Sequence, residues 1–424
     1  MSRSLPAILA AFSLAVLNAG GAWADIGKAV KCEAARLKLA AKYASCTLKA
    51  QAAAVGKQTA VDLSGCVQKF DDKCASVEAK YGADCPATPD CASMRDIAQC
   101  ASDLLPGSGE PVTTAVMNDE HVYFDDAVNR RIVDVVATFP SLATSYSSVV
   151  MHLALSCPTG GCDVFARRGS VAVMQNPGPS EVAIEIARFV APYGVGASWD
   201  VDVTDLRPLL DGSRTIRVFI DTWVGPGSVF GAGWLVDMSF EHTPGTPARR
   251  AIAAVPVYAP QQVVYGDPAH SITSQIGATG VAVPSGATSL DLRSFITGHG
   301  QGNAANCAEF CQRDHTFTID GTPSSQTIWR SDCASTAAPG QMGTYAYSRA
   351  GWCTGAVVHD WTFDVPVPVD GTVDVSYDVE PYENTCRPDA AVCTGCTLGT
   401  GCEYDGGAHT EPFYDVSALL IAFE

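Results

Sequence analysis

In Asn306-Cys307-Ala308-Glu309-Phe310-Cys311 a carboxylate sits midway between two cysteines four residues apart. If Cys307 and Cys311 are bridged, the loop is closed tightly and Glu309 stands on a rigid knuckle beside an aromatic ring. A carboxylate that has lost its rotamer freedom before a ligand arrives suits proton transfer or the gripping of a sugar. A small structural disulfide with a solvated Glu at its tip would read the same, since carboxylates are mostly exposed. A second group, Cys386, Cys393, Cys396 and Cys402, lies in a Gly/Thr-rich stretch. Its spacing fits a four-thiolate zinc site or two disulfides, and an exported chain favours the disulfides. The eight histidines include no His-x-His pair, so no metal cluster of histidines is expected.

The chain in which these residues sit has 424 residues, 47% of them hydrophobic. That is a globular composition, long enough for two or three domains. Residues 1–24 read as a signal peptide: Arg3, then an apolar run from Leu5 to Leu17, then the small-x-small site Ala22-Trp23-Ala24. The expected location is secreted, periplasmic or at the cell surface, and no later run is long enough to span a bilayer. All 17 cysteines follow the signal; in an exported chain they should be mostly paired, with one left over. Residues 106–424 carry 15 Arg, no Lys and 35 acids. Such a surface excludes nucleic acid and anionic lipid as partners and suits neutral polar ligands such as sugars.

Residues 25–105 read as a cysteine-rich helical hairpin, with helical stretches Ile26–Val55 and Ser64–Tyr81 and a stop at Gly82. No cluster of chemistry-bearing residues marks it, and it is expected to dock or to space. Residues 106–111, Pro-Gly-Ser-Gly-Glu-Pro, form the linker. From Val112 onward β-branched and apolar runs alternate with Gly, Pro, Asp and Ser, as in Ile132–Thr138, Ser170–Met174, Val182–Phe189 and Thr215–Asp221. This pattern predicts antiparallel β-sandwiches or jelly rolls, one over 112–246 and one over 247–424, joined near Thr243–Pro247. The second closes on Tyr414–Phe423, which alternates at first and then becomes continuously apolar.

Several segments of the 112–424 region resemble the peptide-N-glycosidase F family. They are Ala187-Arg188-Phe189-Val190-Ala191-Pro192-Tyr193, Val201-Asp202-Val203-Thr204-Asp205, Asp221-Thr222-Trp223, the Cys307–Cys311 box with Arg313 and His315, and Arg349-Ala350-Gly351-Trp352-Cys353. The resemblance implies a mainly β fold of two consecutive antiparallel jelly rolls, preceded here by the disulfide-pinned hairpin. It implies an amidase that cleaves the glycan–asparagine linkage of N-glycoproteins without a cofactor, in a cleft between the jelly rolls. N-glycan or glycopeptide is then the partner; the oligomeric state is open.

Carried over by resemblance, Glu309 matches the family's substrate-polarising glutamate and Arg349 its supporting arginine. Asp221 stands where the family has a second glutamate. Trp223, His299 and Trp352 match cleft aromatics that bind substrate. Cys157–Cys162, Cys307–Cys311 and Cys333–Cys353 are the implied bridges. Asp163, Phe165 and Arg167 match the family's Asp-x-Trp-Asp-Arg run, but Ala166 occupies the position of the catalytic aspartate, and alanine cannot take a proton from water. Asp163 is the nearest substitute base. Two further readings remain: a non-catalytic glycan or glycopeptide binder that keeps Glu309, Arg349 and Trp223, and a bare scaffold. A copper-dependent monooxygenase of the same architecture would need histidine clusters that the sequence lacks.

Overall fold

The fold is that of a computed structural model, which describes residues 28–57, 62–82, 85, 90–95, 98, 110–176, 180–390, 393, 396 and 402–424. The signal peptide with its Ala22-Trp23-Ala24 site, most of the linker, and Cys100 lie outside the described residues. The chain divides into two units, Met1–Ser108 and Gly109–Glu424.

The first unit contains helices α1 (Lys28–Lys57) and α2 (Ser64–Tyr81). Both are rich in Ala, Lys and other good helix formers, and α2 stops at Gly82, whose φ of 52° suits glycine. Their shared core is small: Tyr43 meets Phe70 at 5.3 Å, with Cys66, Cys74, Met94 and Ala98 around them. A core of that size needs staples. Three bridges supply them, Cys32–Cys85, Cys46–Cys66 and Cys74–Cys91.

The second unit is mainly β, with short helical turns between strands. Its first sandwich is built from β1 (Val112–Phe124), β2 (Asn129–Arg130), β3 (Ile132–Phe139), β4 (Tyr146–Ser156), β5 (Arg167–Gln175), β6 (Val182–Ala191), β7 (Ala197–Asp202), β8 (Gly212–Ile220) and β9 (Trp234–Pro244). The second uses β10 (Ala251–Val264), β11 (Thr279–Ala282), β12 (Ser289–His299), β13 (Asp314–Ile319), β14 (Thr322–Thr327), β16 (Trp361–Val365), β17 (Thr372–Val379) and β18 (Phe413–Phe423). With β15 (Ala356–Val357), the sheets run β2-β1-β9-β4-β7 and β15-β6-β5-β8-β3, then β10-β18-β12-β16 and β11-β17-β13-β14. The edge strand β15 comes from the second half of the sequence but pairs with Val190 and Phe189 of β6. The second stretch of chain thus completes a sheet of the first sandwich.

Strand β18 lies between two cores. Tyr414, Val416, Ala418, Leu420 and Ala422 point into the core of the second sandwich. The alternate residues Leu419, Ile421 and Phe423 join the core of the first. This is why the closing segment reads as continuously apolar: both of its faces are buried. Toward its start the row facing the first sandwich turns polar, at Asp415 and Ser417. There β6 meets it with a buried ion pair. Arg188 Nε and Nη2 donate to Glu185 at 2.8 and 2.7 Å, and Arg188 Nη1 donates to the Asp415 carbonyl at 2.8 Å and to Thr297 Oγ1 at 3.2 Å. The Ser417 hydroxyl donates to Glu185. Residues three apart on a flat strand would face opposite ways. A bulge solves this: Val171 pairs with Ala187 and Ala172 with Glu185, leaving Ile186 over.

Two outcomes are expected. Glu185→Gln leaves Arg188 buried without its charge partner and should lower stability by about 3 kcal/mol or more, measured as a shift of the urea midpoint. Removing the Cys46–Cys66 bridge by a double serine substitution reopens a loop of 20 residues. It should cost the helical unit about 3 kcal/mol, read as earlier loss of helical circular dichroism.

Candidate active site

The Glu309 loop is set by its two flanks. β12 ends at His299, and Gly300 follows with a φ of 104°. A side chain there would strike the Glu411 carbonyl, 2.5 Å from where its Cβ would lie. The chain can therefore turn away from the sheet only through glycine. The Asn306 side chain then accepts from Gly302 N–H at 2.8 Å, and Phe310 N–H donates to the Asn306 carbonyl at 3.1 Å. The Cys307–Cys311 bridge closes the loop. From behind, Tyr382 donates to the Ala304 carbonyl at 2.7 Å. Asn384 accepts from Ala304 N–H at 3.2 Å and donates to Asn303 at 2.9 Å. Ala304 also bridges to Cys396. The cysteine-rich stretch, bridged Cys386–Cys396 and Cys393–Cys402, thus backs the loop that carries Glu309.

Arg349 reaches the same place from the Arg330–Arg349 β-bridge. Ala350 N–H donates to the Glu309 carbonyl and Gly298 N–H to the Ala350 carbonyl, each at 2.9 Å, so the two boxes and the end of β12 are laced together. The Arg349 side chain is 1% exposed and the Glu309 side chain 15%. Arg349 Nε donates to Glu309 Oε1 at 3.1 Å. Its other nitrogens are fixed on Tyr347 O at 2.8 Å and on Thr344 O and Oγ1 at 2.9 Å. The guanidinium packs on the rings of Trp352 at 4.7 Å and Phe310 at 5.2 Å. Burial pushes the Glu309 carboxyl up to about 7, against the downward pull of Arg349 and of the Gly300 N–H. A carboxyl poised near neutrality can donate to an amide or sugar oxygen when protonated, and accept a hydroxyl proton when ionised.

Contacts connect this pair to the rest of the cleft. Trp352 is buried, donates to the Gly298 carbonyl at 2.7 Å and stacks on His299 at 5.4 Å. His299 Nε2 lies 2.9 Å from Thr297 Oγ1 and 3.7 Å from Asp415 Oδ2. Burial first, then the fields of Arg168, Arg188 and Arg349, hold the His299 imidazole well below its ordinary range, so it is neutral. Arg168 donates to Asp415 at 2.6 Å and to Asp221 at 2.7 Å. Asp221 also takes Arg131 at 3.4 Å, and Arg131 lies 4.2 Å over the ring of Trp223. Trp223 is 55% exposed. Of the aromatics named by the sequence, Trp223 offers an open face, whereas Trp352 and His299 form the buried wall.

Asp163 sits elsewhere. It is 0% exposed and accepts from Phe165 N–H at 2.9 Å, from Arg167 Nε at 2.6 Å and from the Thr222 hydroxyl at 2.7 Å. It ties the Cys157–Cys162 loop to the segment carrying Asp221 and Trp223. A carboxylate so enclosed has no oxygen turned toward a substrate water. Ala166 packs its methyl against the cluster of Val190, Phe295, Trp352 and Val358, one side chain away from Arg349. Cys157–Cys162 and Cys333–Cys353 are bridged. Sequence reasoning missed Asp415, Arg168 and Asn384. A signal for Asp415 existed: it and Ser417 interrupt an otherwise apolar closing strand. Arg168 and Asn384 had none.

Because the Glu309 pKa lies above its ordinary value, ionising it costs more in the folded chain than in the unfolded one. That cost is absent below about 4.5, grows through the window up to about 7 and is complete above it. Wild type should therefore lose stability relative to Glu309→Gln as pH rises through that window. Urea midpoints of both proteins on either side of it measure the effect, and a difference independent of pH would mean that Glu309 titrates normally.

Comparison with known proteins adds the family. The profile described as "Peptide-N-glycosidase F, N terminal" matches residues 170–234, and "Peptide-N-glycosidase F, C terminal" matches 269–391. Asp221, Trp223, His299, Glu309, Arg349 and Trp352 fall inside these matches; Asp163 and Ala166 precede the first. The peptide-N(4)-(N-acetyl-beta-D-glucosaminyl)asparagine amidase F of Elizabethkingia miricola is 30% identical over 238 residues, covering 52% of this chain and 64% of that protein. Among solved structures, recombinant peptide: N-glycanase F is similar, with a TM-score of 0.61, 24% identity and coverage of 74% of this chain and 96% of that one. PNGF-II follows, with a TM-score of 0.53, 16% identity and coverage of 82% and 70%. These two likenesses carry the fold. Two profiles matched in chain order on a double jelly roll, with the relative's identity beside them, make the chain similar to the peptide-N-glycosidase F family over both of its domains.

Proposed function

We propose that this protein is an exported binder of N-glycosylated asparagine whose amidase chemistry has lapsed at one position. The observation that carries the reading is the contrast between Glu309 and position 166. The Glu309–Arg349 clamp is complete, buried and poised near neutrality. Position 166 packs beside Trp352 but offers a methyl where a water-activating carboxylate would stand. The other acids named for the task are occupied. Asp163 is enclosed by three donors, and Asp221 is held between Arg168 and Arg131. A carboxylate whose oxygens are already held by guanidinium groups must break those bonds before it can take a proton from water.

The ligand follows from similarity to the family and from the cleft. The relative's name makes that protein an amidase of N-acetylglucosaminyl asparagine; we carry over the ligand and not the turnover. Protonated Glu309, held in place by the buried Arg349, donates to the amide or to the first sugar. Trp223, open on one face, stacks on a sugar ring, since apolar sugar faces pack on indole. Export is supported by the eight disulfides, which persist in oxidising compartments, and by the signal-like start. Among the described residues no helix is long and apolar enough to cross a membrane.

The test is release of N-glycan from a denatured glycoprotein by wild type, Ala166→Asp and Ala166→Asp/Glu309→Gln, with glycopeptide affinity measured beside it. Wild type should bind without turnover. Ala166→Asp should release glycan, and the added Glu309→Gln should reduce that release about a hundredfold or more. Release by wild type that Glu309→Gln abolishes would overturn the lapsed reading and make this an amidase with its base elsewhere.

A further inference from the structure

One cavity plays no part in that reading. About 370 Å³ of space opens between the loop 141–146, the 3-10 helix Thr204–Leu209 and the segment 247–252 that joins the two sandwiches. It lies at the far end of the molecule's second unit from Glu309. β4 runs from Tyr146, which lines the cavity, to Ser156, beside the Cys157–Cys162 loop, a span of about 30 Å at the usual strand rise. β18 gives the same separation of ends: Asp415 near its start faces the cleft, whereas Phe423 at its end pairs with Ala251, which lines the cavity.

The wall is chemically unusual for this chain. It holds Arg207, Arg249 and Arg250 and the hydroxyls of Thr144 and Tyr146, with no Asp or Glu; the hydroxyls of Ser145 and Thr204, also in the wall, already donate to the Gly245 carbonyl and to Asp202. Yet acids outnumber arginines 35 to 15 over residues 106–424. Two of the guanidiniums are balanced from outside the wall: Arg249 donates to Asp291 at 2.7 and 3.0 Å, and Arg250 to Glu424. Arg207 is not. It is 9% exposed, donates to the carbonyls of Leu210 and, at 2.6 Å, Pro140, and its buried Nε has no partner. Among the described residues it makes no ion pair. Asp211 exerts a field on it, but that carboxylate accepts from Leu142 N–H at 2.9 Å. Burial holds the Arg207 guanidinium below its ordinary pKa. A buried cation whose partners are two carbonyls and the face of the Tyr146 ring, 5.6 Å away, keeps much of its desolvation cost, and an anion seated in the cavity would offset it.

We infer that this cavity is a binding site for an oxyanion, phosphate or sulfate, either free or esterified to a sugar. Guanidinium groups and hydroxyls are the donors such an anion takes, and no carboxylate in the wall competes with it. The site is independent of the Glu309 cleft.

Isothermal titration of the purified full chain at low ionic strength tests this with sodium phosphate, sodium sulfate and glucose 6-phosphate, and sodium chloride as control. Saturable binding with a Kd of about 1 mM or tighter is expected. It should be weakened about tenfold or more in Arg207→Gln and in Arg250→Gln and unchanged in Glu309→Gln. Arg250 is exposed, so its variant carries the test if Arg207→Gln does not fold. Tighter binding of glucose 6-phosphate than of phosphate identifies a sugar ester as the ligand, and equal affinity identifies the free ion. Heats no larger than those of chloride for all three probes, or binding that survives Arg250→Gln and is lost in Glu309→Gln, overturn the inference.

Discussion

Strand β18 is buried on both faces, and the arrangement of the second unit follows from that. One face closes the core of the second sandwich, and the other enters the core of the first. The two jelly rolls therefore share a hydrophobic seam along the C-terminal half of the strand. Near its start, where the outward row becomes Asp415 and Ser417, apolar packing cannot continue. Arg188 and Glu185 fill that part of the seam as a fully bonded ion pair. Hydrophobic burial holds the sandwiches together at one end, and charge and hydrogen bonds line the other. Through Trp352 and His299, the Glu309–Arg349 pair connects to the polar end at Asp415.

The electrostatics of the cleft follow from this placement. Arg168 bridges Asp221 of the first sandwich and Asp415 of the second, while Arg167 neutralises Asp163 from the strand end below. Glu309 differs because burial outweighs its single guanidinium partner. Arg349 spreads its remaining donors over Tyr347 and Thr344, and so cannot pull the carboxyl pKa down fully. The result is one carboxyl near neutrality among acids that are already paired. Such an arrangement leaves one carboxyl able to donate or accept a proton.

The strands of both sandwiches were legible because period-two alternation survives wherever one face is buried and one is not. The segments 132–138, 182–189 and 414–423 read as strands and lie within β3, β6 and β18. The tight Cys307–Cys311 loop was legible as a knuckle because so short a cysteine spacing leaves few conformations. Other features depend on contacts far apart in the chain. Arg168 and Asp415 are 247 residues apart, and no local pattern links them. The bulge at Ile186 that turns Glu185 and Arg188 to the same side, the pairing of β15 with β6, and the bracing of Ala304 by Asn384 have the same origin. Asp163 reads locally as a free acid near an alanine, and only the packing of Thr222 and Arg167 around it shows it enclosed.

By itself the amino-acid sequence determined the β class, the family boxes and the cysteine-stapled helical segment. These depend on residue type and short-range spacing, which are written directly in the chain. The tertiary structure decided which carboxylates are open and which are spent, that Trp223 is exposed while Trp352 is walled in, and that three arginines converge on one cavity whose wall holds no acid. Those properties depend on burial and on the field of neighbours brought together by folding, and neither exists until the strands have paired.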